Sequence, residues 1–104
     1  MVFKTDIIDK IEIDFGTNSI EAGKMLESAI LETDYLQTDR IIRCIIFLSK
    51  GNLTQLDKYI AAAILDPRDV MFWAEYENHD DFEKTKRIRD FNNQFEKSAI
   101  NVKE

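Results

Sequence analysis

The chain has 104 residues and a mass of 12.2 kDa, and 20 acids against 14 bases leave it with a formal charge of −6. A hydrophobic content of 44%, with 11% aromatic residues, excludes a mainly disordered chain, and the length suits one domain of the usual 50 to about 250 residues. Three Gly and one Pro argue against a β-rich fold that must turn every few residues, and the acidic balance argues against non-specific nucleic-acid binding.

Six helical segments are predicted in chain order. Ile7, Ile8, Ile11 and Phe15 recur at helical spacing and stop at Gly16, where a glycine accommodates positive φ; Ile13 departs from that face. Thr17, Asn18 and Ser19 offer N-caps for a second helix carrying Ala22, Met25, Leu26 and Ala29, and Thr33-Asp34 breaks it. Thr38 or Asp39 caps a third, ended by Gly51. On it Ile41, Ile42, Cys44, Ile45, Ile46 and Leu48 cover more than half the circumference, leaving Asp39, Arg40, Arg43 and Lys50 on a narrow polar strip with Phe47 at its edge. A helix apolar over so wide an arc is surrounded by others, so residues 39–50 are the expected centre of the fold.

Asn52 and Gln55 read as a capping-box variant before Leu53, Leu56, Ile60, Ala63 and Ile64. Asp66-Pro67-Arg68-Asp69 is the sharpest boundary: an N-cap, a proline at the first helical position, and an acid in the first turn. The fifth helix is expected to run to about Glu77. Asn78-His79-Asp80-Asp81 then turns the chain into a last amphipathic helix bearing Ile88, Phe91 and Phe95, with a frayed tail from about Ser98. Residues 1–104 therefore read as one all-α domain, a compact bundle of five to six helices.

Little in the chain suggests chemistry. Cys44 is the single cysteine, so neither an internal disulfide nor a Cys/His zinc site can form. It lies in the apolar run of the central helix, some 35 residues from the single histidine, His79, which sits in a polar turn. A Cys/His dyad is therefore not expected. There is no phosphate-binding glycine loop, EF-hand loop or di-metal Glu-x-x-His motif, and no cofactor, metal or catalytic residue is assigned. Met1 to Asp6 lacks the order of a secretory signal, and no apolar run approaches the roughly 20 residues that span a bilayer. The expected location is the cytoplasm, away from membranes.

Charge and aromatic placement are more telling. From Asp66 to Glu83 there are seven acids and one base, Arg68, followed directly by Lys84, Lys86, Arg87 and Arg89. An acidic block of this kind reads either as a solvated face or as a docking surface for a basic protein. Within the fifth helix Val70, Trp73 and Ala74 share one face, and Phe72 and Tyr76 make another, roughly opposite. If that helix is not buried on every side, Phe72 and Tyr76, flanked by Asp69, Glu77, Asp80 and Asp81, are the candidate partner-binding residues. Arg40 and Arg43 on the central strip are expected to pair with carboxylates of a neighbouring helix.

The stretch Arg40-x-x-Arg43-Cys44-Ile45-Ile46-Phe47-Leu48-x-x-Gly51-Asn52, Leu56-x-x-Tyr59, Asp66-x-Arg68-Asp69-Val70 and Trp73-Ala74-x-Tyr76 resembles a group of small uncharacterised bacterial helical proteins. Arg87-Ile88-Arg89-Asp90-Phe91-Asn92 fits the same pattern. A looser likeness, in size and acidity, is to the immunity proteins of bacterial toxin systems. It implies a non-enzymatic protein that neutralises a basic toxin such as a nuclease. The alternatives are a self-associating bundle, with Phe72 and Tyr76 buried across a homodimer interface, and a small enzyme built on Arg40 and Arg43.

Overall fold

The first helix, α1 (Thr5–Phe15), buries Ile7, Ile11 and Phe15 and leaves Ile8 and Ile13 at its exposed edge. The structure is a computed structural model, described here for residues 3–77, 79 and 83–95. Gly16 closes α1 at φ +53 with its N–H on the Glu12 carbonyl, and a single 3₁₀ turn (Gly16–Asn18) leads into α2 (Ser19–Glu32). Ala22, Leu26, Ala29 and Ile30 face inward from α2, and Met25 packs at the margin. A second 3₁₀ turn (Asp34–Gln37) buries Leu36 and delivers the chain to α3 (Asp39–Ser49).

Helix α3 is the hub. Ile41, Ile42, Cys44, Ile45 and Ile46 are all buried, and α1, α4 (Leu53–Leu65) and α5 (Pro67–Glu75) pack against it. The α3–α4 turn is made by two left-handed residues, Lys50 at φ +52 and Gly51 at φ +74, and Asn52 then caps α4 by accepting the Gln55 N–H at 2.9 Å. Helix α4 turns Leu56, Ile60 and Ala63 inward, while Ile64 is more than a third exposed. At the next boundary the Asp66 carboxylate accepts the Arg68 N–H at 3.0 Å, with Pro67 opening α5. Local chemistry therefore sets these boundaries as expected.

The mainly helical class holds, but the bundle of five to six helices does not close as expected. Helix α5 stops at Glu75 rather than Glu77, and Tyr76–Glu77 form a short strand, β1, paired antiparallel with β2 (Lys86–Arg87), Tyr76 opposite Arg87. The predicted terminal helix over Ile88, Phe91 and Phe95 is absent among the described residues. In its place an irregular arm lies over α3, and a turn at residues 90–93 is fixed by Asp90, whose carboxylate accepts the Asn92 N–H at 3.0 Å while its carbonyl accepts the Asn93 N–H. Asp and Asn offer their own backbone such alternatives to a helix, and here that local bonding prevails over an apolar spacing of three and four. Phe91 and Phe95 are still buried, so the spacing marked core residues but not their helix. Among the described residues no helix is long and apolar enough to cross a membrane. The proposed fraying from Ser98 lies outside the described residues.

Candidate functional site

Two arginine–carboxylate clusters attach the arm to α3. Arg43 is buried, and its Nε and Nη2 donate to the two Asp6 oxygens at 2.9 and 3.1 Å, while Nη1 donates to the Phe91 carbonyl at 3.1 Å. Arg40 grips Glu75 with both ends of its fork, at 3.0 and 2.6 Å, and Arg87 adds a third contact at 3.2 Å. Each carboxylate also accepts a backbone N–H of the arm: Phe91 to Glu75 at 2.9 Å and Phe95 to Asp6 at 3.1 Å. The Glu75 carbonyl takes two more, from Ile88 and Arg89.

Burial pushes both carboxyls up, but the Arg43 hydrogen bond and the Phe95 N–H outweigh it at Asp6, and Arg40 with the Phe91 N–H outweighs it at Glu75. Both groups are held below the usual carboxylate range. No buried side-chain polar atom lacks a partner among the described residues. The carboxylates expected for Arg40 and Arg43 are thus present, on α5 and on α1, and this polar cluster is saturated by the fold itself.

The face proposed on α5 is arranged differently. Val70 and Ala74 are fully buried against the core, with Trp73 at the edge of that face, its ring 6.1 Å from Tyr59 in an edge-on contact. Roughly opposite, Phe72 is 36% exposed and Tyr76 half-buried, with ring centroids 5.4 Å apart. The His79 ring extends this row, 5.0 Å from Phe72. Its Nε2 lies 2.6 Å from the Tyr76 carbonyl, an oxygen that can only accept, so that nitrogen carries the proton. Asp69, one turn earlier, is exposed, and its carboxylate forms no hydrogen bond or ion pair among the described residues.

Asp69, Phe72 and Tyr76 line one shallow groove with Arg68, Met71 and Asp66, of about 580 Å³. Glu77 does not line it; it follows on β1, 4.0 Å from Lys86 on the neighbouring strand. Asp80 and Asp81 lie outside the described residues. The acidic block is less available than its sequence implies: Glu75 points inward and is fully buried, and Asp66 is held by Arg68 through two oxygens.

Other candidates for chemistry separate in space. Cys44 is fully buried, and burial, helped by the nearby Glu75 charge, pushes its thiol up to about 12, whereas His79 is exposed. A protonated core thiol is a poor nucleophile. No group of three His, Cys, Asp or Glu able to hold a metal ion occurs among the described residues. Sequence reasoning missed Asp6 and Glu75 as buried anchors because each looks like an ordinary first-turn or surface acid until its arginine, 37 or 35 residues away, is placed.

The chain matches no family model, and no curated protein or solved structure is significantly similar to it.

Proposed function

We propose that this is a cytoplasmic, non-enzymatic protein-binding module that neutralises a basic protein, most concretely a toxin such as a nuclease, in the manner of an immunity protein. The observation that carries the reading is the partly exposed ring row Phe72–Tyr76–His79 beside the unpaired Asp69 carboxylate. Aromatic rings provide a rigid anchor at low entropic cost, and a lysine or arginine seated on their faces gains a cation–π contribution. Asp69 supplies a carboxylate at the edge of that platform, and the −6 chain adds long-range attraction for a basic surface.

The alternative is a second copy of the chain on the same face, with Phe72, more than a third exposed, and the half-buried Tyr76 covered across a two-fold interface. Like charge opposes it, since two chains of −6 repel on approach. The test is capture by the tagged protein from its host's lysate at about 50 mM and about 500 mM salt, where screening differs severalfold. One basic protein is expected at low salt, and Tyr76→Ala, Phe72→Ala or Asp69→Lys abolishes its capture. Undiminished capture by all three variants removes this face. A salt-resistant dimer of the bait alone, by sedimentation, supports self-association instead.

A further inference from the structure

A second groove, of about 470 Å³, runs between α1, α3 and the C-terminal arm, within the range of about 300–1,000 Å³ usual for small-molecule sites. Its aromatic floor is continuous: Phe47 and Phe91 lie 5.3 Å apart, and Phe91 and Phe95 lie 5.6 Å apart. Ile88, 40% exposed, adds an apolar wall. The groups over this floor are cations. The Arg89 guanidinium is 4.4 Å and the Lys50 ammonium 4.5 Å from the Phe47 centroid, and the Lys10 ammonium is 5.7 Å from that of Phe95.

These charges are incompletely neutralised. Lys10 is paired with Asp14 at 3.2 Å, but neither Arg89 nor Lys50 has a carboxylate partner among the described residues, and Arg89 uses only Nη1, on the Ala74 carbonyl. The acid on the groove wall, Asp90, is turned to Arg87 and the Asn92 amide. In a chain with a net charge of −6, this groove therefore combines ring faces with unpaired positive charge. A planar apolar group suits the floor, and a carboxylate on that group suits the guanidinium fork.

We propose that the groove binds a small aromatic carboxylate, its ring against Ile88 and the Phe47 end of the floor and its carboxylate on Arg89. This site is independent of the α5 face.

The test is an NMR titration of the full chain with 2-naphthoate, with 2-naphthylmethanol and 2-naphthylmethylammonium as neutral and cationic counterparts. Naphthoate is expected to bind saturably and to shift the signals of Phe47, Arg89, Phe91 and Phe95. The alcohol should bind at least about tenfold more weakly, a gap of one charge-assisted contact, and the ammonium not saturably. Arg89 is exposed, so Arg89→Gln tests the charge without endangering the fold and should weaken naphthoate while leaving the alcohol unchanged; Lys50→Gln, on the Phe47 ring but off the groove wall, should change neither. Equal affinity for the three probes, shifts clustered away from these residues, or naphthoate binding unaffected in the folded Arg89→Gln variant overturns the proposal.

Discussion

Gly51 shows how one backbone position couples distant parts of the chain. Its φ of +74 is costly for an L side chain, and a Cβ there would clash with the Asp14 carbonyl oxygen at the end of α1. Gly51→Ala is therefore expected to cost about 2–4 kcal/mol in urea denaturation, from strain and from displacing a backbone that cannot swing aside. Gly23 is the control: it sits inside α2, and nothing lies within 4 Å of its would-be Cβ. Gly23→Ala should stabilise by about 0.5–1 kcal/mol, because it only removes helix-opposing entropy. Equal effects of the two substitutions would show that propensity, not the Asp14 contact, governs Gly51. At this scale the sequence was readable where a residue answers to its immediate neighbours. Asn52, Asp66 and Pro67 act within two or three positions, whereas the reason for Gly51 lies 37 residues upstream.

Among the elements, α3 carries the larger lesson. Its apolar arc and polar strip are as the periodicity of residues 39–50 implies, yet the strip is not a solvent face: Arg43 is 3% exposed beneath the arm. An arginine that reads as surface from its own helix becomes core when a later segment brings carbonyls and a carboxylate to it. The two clusters differ in how firmly they need their acids. Asp6→Asn leaves the Arg43 charge buried without its counter-ion and is expected to cost about 3–5 kcal/mol. Glu75→Gln should cost less, about 1–3 kcal/mol, because the Arg40 and Arg87 side chains are 28% and 38% exposed and can turn to water. Thermal or urea unfolding of both variants checks the order, and a larger loss for Glu75→Gln would mean that the β1–β2 end, not Asp6, anchors the arm. The candidate face was legible in part for the same reason. Phe72 lies on α5 and Tyr76 caps its end, its N–H on the Phe72 carbonyl, so their pairing follows from the spacing of four, but the inward turn of Glu75 depends on Arg40 and could not be read locally.

For the molecule as a whole, these buried pairs set the response to acid. Asp6 and Glu75 are both held below the carboxylate range in the folded state and return to ordinary values, about 4, when the chain unfolds. The unfolded state therefore binds more protons in the acid range, and stability rises with pH there. Their contribution is complete above the ordinary carboxylate pKa and is lost as pH falls through the lowered folded values. Surface charge acts differently: self-repulsion declines as the −6 charge is titrated towards zero near pH 4.8, then grows again as the chain turns positive. The two effects are separable, because Asp6→Asn removes one buried titration and leaves the surface acids in place. Urea denaturation at about pH 5, 4 and 3 should show stability falling more steeply in the parent chain than in Asp6→Asn, so that the gap between them narrows as acid is added. Parallel curves would assign the acid response to surface charge and leave the Asp6–Arg43 pair without a share in it.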